Sequence, residues 1–325
     1  MDFQANNDTL ITIFGGSGFV GRHVVRALAR RQYRMRIAVR RPDLTGHLQP
    51  LGRVGQIHAV QANIRNAESV EAAVRGADVV INLVGILHES GRQRFDTVQG
   101  YGAEQAALAA SAHGARMIQI SAIGADENSP SGYARSKAMG EKAVLAAKPD
   151  AVIVRPSVMF GPEDDFFNKF GAMARMLPAL PLIGGGETKF QPAFVGDVAE
   201  AIARAADGTA KAGTIYEAGG PEVRTFKELM QFVLDTAERD RFLVPLPFGL
   251  AKFVAMFAQL SPFKPLITPD QVEQLKVDNI VSAAAIAEGR TLEGLGIEPT
   301  AMSTIVPSYL WRFRKTGQFK TGRFA

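Results

Sequence analysis

Cysteine is absent from the 325 residues of this chain. Its absence excludes disulfide bonds, thiolate nucleophiles, cysteine-ligated zinc and iron–sulfur clusters. The histidines are also few, and no two of them lie at a spacing typical of metal ligands: His23, His47, His58, His88 and His113. We therefore expect no metal site.

Long hydrophobic runs are missing as well. No segment approaches the roughly 20 consecutive apolar residues that a membrane-spanning helix needs. The first ten residues show neither the cationic start and apolar run of a secretory signal nor the arginine-rich pattern of a transit peptide. We expect a chain without a membrane span and without a targeting segment at its start.

Excess positive charge is confined to the carboxyl end. Lysine and arginine number 37 against 32 acidic residues, which gives a formal net charge of +5. No acidic residue follows Glu298, whereas several cations do: Arg312, Arg314, Lys315, Lys320 and Arg323. The rest of the chain is therefore close to neutral, and a nucleic-acid-binding face is not expected.

Short apolar segments alternate with helical patterns through the first half of the chain. Strands are predicted over residues 9–14, 35–39, 56–61, 79–84, 116–120, 151–154 and 214–217. Helical patterns run from the glycine-rich turn after the first strand to about Arg31 and over residues 68–74, 102–113 and 133–147. This alternation predicts an α/β fold with a doubly wound parallel Rossmann sheet of about seven strands, with ligands at the carboxyl ends of those strands.

The alternation weakens after about Phe160, where proline and glycine become frequent. We predict a dinucleotide-binding domain over residues 1–160, with returns at about 191–220. Residues 161–325 are predicted to form a smaller, mostly helical and interleaved domain that faces a partner, a substrate or a membrane.

A glycine-rich turn joins the first predicted strand to the first predicted helix. Gly15, Gly18 and Gly21 fit one dinucleotide-binding spacing, and Gly16, Gly18 and Gly21 fit another. The missing side chains allow a tight turn and a close approach of backbone N–H groups to a pyrophosphate at the helix N-terminus. The predicted contacts are Gly15, Gly16, Ser17, Gly18, Phe19, Val20 and Gly21.

Arginine stands where the second predicted strand ends. An acidic residue there would bind the ribose 2′-hydroxyl of NAD, whereas Arg40, with Arg22 after the glycine turn, favours the 2′-phosphate of NADPH or NADP⁺. The side chain of Arg41 should point away from that of Arg40 into solvent.

The ends of the third and fourth predicted strands supply weaker candidates. Asn63 and Ile64 follow the third strand, where a side chain can meet the adenine edge. Leu83, Val84 and Gly85 close the fourth strand, where small residues and backbone can pass the ribose.

Three side chains suggest carbonyl chemistry. Ser121 follows the fifth predicted strand, and Tyr133 and Lys137 are four residues apart on one face of a predicted helix. The lysine charge would lower the phenol pKa, so that Tyr133 could act as general acid or base while Ser121 binds the same substrate oxygen. The alternative is that these three residues hold a bound cofactor without turnover.

These motifs together resemble the extended or atypical members of the short-chain dehydrogenase/reductase superfamily. The resemblance covers the glycine turn, Ser121, the Tyr133–Lys137 motif and residues 155–161, RPSVMFG. It implies further cofactor contacts at Pro156, Ser157 and Val158.

A narrower resemblance extends over nearly the whole chain. Residues 137–142, 160–168 and above all 260–268, LSPFKPLIT, are similar to the nucleotide-binding accessory subunits of respiratory complex I (NADH:ubiquinone oxidoreductase) and their bacterial relatives. The resemblance implies a tightly held NADPH with a mainly structural role. It also implies binding to other complex I subunits where the hydrophilic arm meets the membrane, on the cytoplasmic face of a bacterial inner membrane.

Residues 242–260, FLVPLPFGLAKFVAMFAQL, contain only Lys252 and Gln259 as strongly polar residues. A helix over residues 248–260 would be about 20 Å long, too short to span a bilayer. It could lie in the membrane interface with its large apolar side chains inserted: Phe248, Phe253, Met256 and Phe257. The alternative is a core helix.

The basic tail from Tyr309 onward mixes aromatic and cationic residues. That composition suits a subunit surface or an anionic lipid, and residues 242–266 together with this tail are the predicted membrane contact. The alternative is a disordered, solvated end.

Three functional hypotheses remain open. The first is a non-catalytic or weakly catalytic NADPH-binding subunit of complex I. The second is a free NADP(H)-dependent reductase or a sugar-nucleotide epimerase or dehydratase that uses Ser121, Tyr133 and Lys137. The third is a sensor of the NADPH to NADP⁺ ratio.

Overall fold

The computed structural model describes residues 6–258 and 267–317. The strands are β1 (Leu10–Phe14), β2 (Arg34–Val39), β3 (Ile57–Gln61), β4 (Val79–Asn82), β5 (Arg116–Ile120), β6 (Val152–Pro156), β7 (Met159–Phe160), β8 (Ala179–Ile183), β9 (Lys189–Phe190), β10 (Ala193–Phe194), β11 (Ile215–Ala218), β12 (Arg224–Thr225) and β13 (Phe242–Leu246). The helices are α1 (Phe19–Arg30), α2 (Ala67–Val74), α3 (Gly102–Ala112), α4 (Gly132–Ala147), α5 (Phe166–Met176), α6 (Val195–Asp207), α7 (Phe226–Thr236), α8 (Phe248–Ala258), α9 (Pro269–Gln274), α10 (Ala283–Ala287), α11 (Met302–Ile305) and α12 (Pro307–Leu310).

A seven-stranded parallel sheet organises the first part of the chain. Its strand order is β11-β6-β5-β4-β1-β2-β3, and every pairing in it is parallel. The central strands are apolar and buried on both faces, as β4 with its sequence VVIN shows. The order runs outward in both directions from β1 and β4, so the predicted doubly wound α/β fold is confirmed.

Two compact units divide the described residues. The first takes its residues from Met1–Pro156, Val195–Ala218 and Ser282–Glu298, and it contains the large sheet. The second takes its residues from Ser157–Phe194, Gly219–Val281 and Pro299–Ala325. The return at Ser282–Glu298 was not part of the sequence prediction.

The second unit has an aromatic core and short paired strands that the periodicity did not predict. Phe160, Phe167 and Phe226 are fully buried there. The strands pair as β7 with β10, β8 with β13 and β9 with β12. Proline in β8 and β13 hides their strand character in the sequence, because proline is rare inside sheets.

The tail prediction requires a correction at its start. Tyr309, Leu310 and Phe313 are buried in the core of the second unit, so they are neither a solvated end nor a lipid-facing surface. Arg314 is also tied down, because its Nε donates to the carbonyl oxygen of Thr236 at 2.9 Å. Lys320 and Arg323 lie outside the described residues.

Helix α8 presents apolar side chains to solvent. Its exposed large residues are each about half accessible: Leu250, Phe253, Val254, Met256 and Phe257. The side chains at 250, 253, 254 and 257 form one stripe of the helix, whereas Ala251 and Ala255 face the core. The core-helix alternative is therefore wrong for this face. Gln259 and Leu260 lie outside the described residues.

Phe248 is a correction within the same helix. It was predicted to insert into a membrane, but it packs on the core of the second unit, where its ring lies directly against Gly184. None of the described helices combines the length and the apolarity that crossing a bilayer requires.

Candidate functional site

The predicted site residues of the first unit lie at one edge of the sheet. Because all seven strands are parallel, their carboxyl ends face the same way, and the residues that follow β1, β2, β3, β4 and β5 gather there. The strand order reverses between β1 and β4, which makes a crevice at this edge. That crevice is the usual ligand site of doubly wound folds.

The glycine turn between β1 and α1 requires glycine at two positions. Gly15 has a φ of +77°, and a Cβ on it would lie 3.2 Å from the backbone nitrogen of Val84. A Cβ on Gly21 would lie 2.5 Å from the carbonyl oxygens of Gly15 and Gly16. The turn therefore folds directly against α1 and against the end of β4.

The amino end of α1 is available to an anion. Its N-cap residue is Gly18, which supplies no side-chain hydrogen bond to the first turn, and that turn contains no acidic residue. The first backbone N–H groups of a helix have no partner within the helix, and the helix dipole adds partial positive charge there. The turn can therefore cradle a pyrophosphate. Arg22 lies beside it, with Nε 3.4 Å from the carbonyl oxygen of Gly18.

Arg40 and Arg41 differ in their surroundings. Arg41 forms a bidentate pair with Asp43, at 2.6 Å between Nη2 and Oδ2, and both side chains are exposed. Arg40 donates instead to a neutral acceptor, Oε1 of Gln93, at 3.0 Å. The charge of Arg40 is therefore not balanced by Gln93, whereas that of Arg41 is balanced by Asp43.

The side chains of Asn63 and Ile64 are engaged within the fold, which leaves mainly their backbone atoms for a ligand in the crevice. The Asn63 side chain accepts a hydrogen bond from the backbone of Arg65 at 3.2 Å, which closes a tight turn after β3. Ile64 is buried in the core against α3, where a Cβ on Gly102 would lie 2.9 Å from it.

The end of β4 is held by side-chain amides. Asn82 is fully buried, donates to Oε1 of Gln119 at 2.9 Å, and accepts from the backbone N–H of Val84 at 3.1 Å. The backbone N–H of Leu83 donates to Phe14 at the end of β1. These bonds fix the backbone of Leu83, Val84 and Gly85 along the crevice.

Ser121 is the least satisfied polar group of the site. The residue is 4% exposed, and within the described part of the chain its Oγ has no hydrogen-bond partner. A buried hydroxyl without a partner is costly, and a ligand that bonds to it relieves that cost. Its backbone N–H donates to Val154 at 2.7 Å, so the position of Ser121 at the end of β5 is fixed.

Tyr133 and Lys137 lie on the first turns of α4, as their spacing predicts. Ser131 caps this helix through its side chain. The ammonium of Lys137 lies 5.8 Å from the centre of the Tyr133 ring, and Phe95 packs edge-on against that ring at 5.9 Å. Burial lowers the pKa of the Lys137 ammonium to about 8, and the carboxylate of Glu141 one turn further opposes that shift. With a pKa about one unit above neutral, Lys137 is mostly protonated at pH 7.

Gln99 is a site residue that the sequence motifs did not indicate. It lies on a turn of π-helix, Asp96–Tyr101, directly before α3. Its Nε2 donates to Oγ of Ser136 at 3.0 Å, but its buried Oε1 has no partner among the described residues. A Cβ on Gly85 would lie 3.4 Å from both this oxygen and the ammonium of Lys137. No spacing motif announces a π-helix, although such turns often occur at functional sites.

An ion network lies on the next turn of α4. Glu141 is 5% exposed, and Arg155 on β6 donates to both of its carboxylate oxygens, at 2.8 and 2.5 Å. Glu217 on β11 stands 3.8 Å from the same guanidinium. The hydrogen bonds to Glu141 raise the pKa of Arg155. The network joins α4 to two strands and so holds Lys137 in place.

The remaining predicted contacts lie after β6. Pro156 ends that strand in the first unit, whereas Ser157 and Val158 belong to the second unit. There, Oγ of Ser157 donates to Asn279 at 2.7 Å, and the backbone N–H of Val158 donates to the same side chain at 3.0 Å.

The first unit thus contains the parts that a nicotinamide dinucleotide needs. The glycine turn and the amino end of α1 suit a pyrophosphate, and Arg40 and Arg22 suit a phosphate on the adenosine ribose. Ser121, Gln99, Tyr133 and Lys137 offer a buried hydroxyl, an amide oxygen, a phenol and an ammonium for the other ribose and a carbonyl oxygen. In the part of the chain that the structure describes, no group of histidine, aspartate and glutamate could hold a metal ion.

Similarity to known proteins agrees with this geometry. The sequence profile of the NAD dependent epimerase/dehydratase family matches residues 11–219. A solved structure of dTDP-glucose 4,6-dehydratase from Streptomyces venezuelae, with NAD bound, aligns with a TM-score of 0.71 at 20% identity, over 94% of this chain and 96% of that one. A likeness at that identity concerns the fold.

Two curated relatives are more similar in sequence. The mitochondrial NADH dehydrogenase [ubiquinone] 1 alpha subcomplex subunit 9 of Arabidopsis thaliana is 37% identical over 319 residues, which cover 94% of this chain and 78% of that protein. A ceramide reductase of Caulobacter vibrioides is 38% identical over 174 residues, which cover 54% of each chain.

Proposed function

Since the chain belongs to the NAD dependent epimerase/dehydratase family and, within it, to the group that contains the subunit 9 proteins of NADH dehydrogenase, we propose that it is an accessory subunit of respiratory complex I. In this role it binds a nicotinamide dinucleotide whose function is mainly structural. It docks on other complex I subunits where the hydrophilic arm meets the membrane.

The extent of the similarity carries this proposal. The family profile ends at residue 219, and a dinucleotide fold alone would account for likeness up to that point. The similarity to the Arabidopsis subunit covers 94% of the chain and therefore includes most of the second unit. A shared second unit is expected of proteins that share docking partners, because generic cofactor binding does not constrain it.

NADPH is the form of the cofactor that the charges favour. Among the described residues, the Arg40 guanidinium bonds to a neutral partner, Gln93, and Arg22 lies beside the glycine turn, so both can bind a 2′-phosphate. When bound, this cofactor supplies a hydride for redox chemistry, but a structural role needs only its retention. The buried Ser121 hydroxyl and the buried Gln99 carbonyl oxygen have no partner among the described residues, and a bound dinucleotide can supply one to each.

Native mass spectrometry of complex I from detergent-solubilised membranes tests the proposal. We expect complex I from the bacterial inner membrane to contain this chain, with one NADPH or NADP⁺ bound to it. A chain found only in the cytosolic fraction, away from every complex I subunit, would contradict it.

The apolar stripe of α8 suggests how the second unit meets the membrane. Helix α8 spans 11 residues, so at about 1.5 Å per residue it is much shorter than a bilayer is thick. Its half-exposed side chains suit the interface between lipid headgroups and acyl chains. Lys252, the cation of this helix, is held by Glu273 at 2.7 Å and so leaves the stripe apolar. We assign α8 as the lipid-contacting helix on the cytoplasmic face of a bacterial inner membrane.

Replacing Phe253 and Phe257 together by aspartate is expected to weaken binding to vesicles that contain about 30% anionic lipid by at least about tenfold. The variant loses two inserted rings and gains two negative charges. The two rings contact each other, with centroids 4.8 Å apart, and both are about half exposed. Because they lie on the exposed stripe, the fold should tolerate the change. Cosedimentation of the purified chain with the vesicles measures it. Leu108→Asp, at a similarly exposed leucine of the first unit, is the control and should leave binding unchanged. Vesicle binding that survives the double substitution would contradict the assignment of α8.

A free reductase is the second candidate, and two observations favour it. Ser121, Tyr133 and Lys137 are all present at the ends of β5 and on α4, and the Ser121 hydroxyl is unpartnered among the described residues. The chain is also 38% identical to a ceramide reductase over 174 residues. In this candidate, Ser121 binds a carbonyl oxygen and Tyr133 donates a proton to it, while the Lys137 charge stabilises the phenolate.

Tyr133→Phe separates the two candidates. For a complex I subunit we expect no NADPH oxidation by the wild type with a panel of carbonyl compounds that includes long-chain ketones. We also expect the variant to retain NADPH, because it loses only one of the groups that can bond to the cofactor and keeps the ring contact with Phe95. For a reductase, the wild type oxidises NADPH and the variant is slower by about 100-fold or more. Tyr101→Phe, at an exposed tyrosine, serves as the control in an assay of NADPH absorbance.

A further inference from the structure

The segment between β4 and the π-helix turn is a braced hairpin, which we call the strap (residues 86–95). Ser90 and Gln93 exchange two backbone hydrogen bonds, at 3.1 and 2.9 Å, and Gly91 between them has a φ of +55°. At the base of the strap, Oε1 of Glu89 accepts from the backbone N–H of Phe95 at 2.9 Å. Arg94 approaches the same carboxylate oxygen at 3.3 Å.

The tip of the strap is fastened to two other strands of the sheet. Arg40, directly after β2, donates to Oε1 of Gln93 at 3.0 Å. Arg65, shortly after β3, donates through Nη1 to the carbonyl oxygen of Arg92 at 2.6 Å. The strap therefore starts after β4, and its tip is bonded to residues that follow β2 and β3.

Sheet order shows what the strap passes over. The sequence of neighbouring strands is β4, β1, β2 and β3, so β1 stands between β4 and β2. With strands about 4.8 Å apart, the tip lies about 10 Å or more to the side of β4. The strap therefore crosses the carboxyl ends of β1 and β2, where the adenosine half of a dinucleotide lies in this fold.

The other end of the strap reaches the Tyr133 ring. Phe95 closes the strap and packs edge-on against Tyr133 at 5.9 Å. Four residues later, Gln99 has a buried Oε1 without a partner among the described residues, and a Cβ on Gly85 would lie 3.4 Å from both this oxygen and the ammonium of Lys137. One continuous segment thus contacts both the arginine side and the tyrosine side of the crevice.

We propose that the strap closes over the adenosine ribose of the bound dinucleotide and slows its release, and that Gln93 is a specificity-determining residue that holds Arg40 in place for the 2′-phosphate. This inference rests on the proposed cofactor site and assigns a new part of it.

The chemistry of an amide suits this role better than that of a carboxylate. Gln93 accepts from Arg40 through Oε1, which leaves its Nε2 group as a donor to a phosphate oxygen. An acidic residue at this position would pair with the guanidinium and repel the phosphate. The neutral glutamine therefore orients Arg40 without neutralising it.

Dissociation rates of the nucleotide test the specificity role. The full-length chain is loaded with NADPH and chased with excess NADP⁺ in a stopped-flow fluorimeter, and the experiment is repeated with NADH and NAD⁺. We expect Gln93→Ala to release NADPH about tenfold faster, the effect of one hydrogen bond to a charged group. Gln93→Glu should lower NADPH affinity by about tenfold while NADH affinity stays within about twofold. Gln231→Ala, at an exposed glutamine of α7, is the control and should match the wild type.

Glu89→Ala tests the closing role, because two explanations predict opposite changes in the rate of NADPH release. Removing a carboxylate near a phosphate site should slow NADPH release if only charge matters. Loosening the base of the strap should instead speed the release of NADPH and NADH alike, by about fivefold, the effect of one or two lost hydrogen bonds. Slower or unchanged release in Glu89→Ala, or rates within twofold of wild type for Gln93→Ala, would overturn the strap and leave the cofactor site standing. A wild-type chain that binds no dinucleotide would overturn both.

Discussion

Replacing Glu141 by alanine is expected to lower the free energy of unfolding by about 3–5 kcal/mol. The substitution leaves the guanidinium of Arg155 largely buried, with its side chain 22% exposed, and removes two charge-assisted hydrogen bonds. Glu217 at 3.8 Å is too distant to replace them. A buried charge that has lost its hydrogen-bonded partner costs more than the pair contributes, and the 3.8 Å contact with Glu217 offsets only part of that cost. Urea unfolding of the nucleotide-free chain measures the effect.

The matched control lies nearby at the protein surface. Glu127 pairs with Lys142 of α4 at 3.0 Å, with side chains 47% and 73% exposed. Solvent screens this pair, so Glu127→Ala should cost less than about 1 kcal/mol. Equal losses in the two variants would show that burial does not govern the Glu141–Arg155 pair.

Replacing Arg40 by glutamate is expected to weaken NADPH binding by at least about 100-fold. The variant loses one or two charge-assisted hydrogen bonds to the 2′-phosphate, each of about 1.5–3 kcal/mol, and places a carboxylate against that phosphate. NADH binding should be unchanged or improved, because an acid at this position binds the ribose 2′-hydroxyl. Isothermal titration with the two reduced dinucleotides gives both dissociation constants.

Arg41→Glu provides the comparison for the same charge change one residue away. Arg41 is engaged by Asp43 and lies in solvent, so its substitution should change NADPH binding by less than about fivefold through screened, long-range charge alone. A parallel loss of NADPH and NADH affinity in Arg40→Glu would instead mean that this arginine supports the fold of the site and does not select the phosphate.

The large sheet could be predicted because its signals are local. Strand β5 has the predicted bounds, Arg116–Ile120, since five apolar or β-compatible residues between a helix end and a polar turn leave little choice. The glycine turn follows from spacing, because only glycine permits the φ of Gly15 and the close approach at Gly21. Tyr133 and Lys137 follow from the helical repeat.

Other parts of the site depend on contacts between distant residues, which spacing does not encode. The pairing of Glu141 with Arg155 joins a helix to a strand 14 residues away, and the bond from Arg40 to Gln93 joins residues 53 apart. The position of Gln99 depends on a π-helix turn that the sequence periodicity does not predict. The outward stripe of α8 was ambiguous for a related reason. A helix that is apolar on most sides has no clear division between an apolar and a polar face, so its buried face cannot be inferred from the sequence.

The return of Ser282–Glu298 to the first unit has a consequence for synthesis on the ribosome. This segment covers β11, the edge strand of the sheet: the N–H of Glu217 donates to Arg290 at 2.9 Å, and Glu217 accepts from the N–H of Ser282 at 2.7 Å. A nascent chain that has not yet emerged to residue 298 exposes that edge, and exposed edges invite pairing with other chains. The nucleotide-binding unit therefore cannot cover this edge until residues 282–298, which follow Gly219–Val281 of the second unit, have been synthesised, and truncation before residue 282 should yield aggregates.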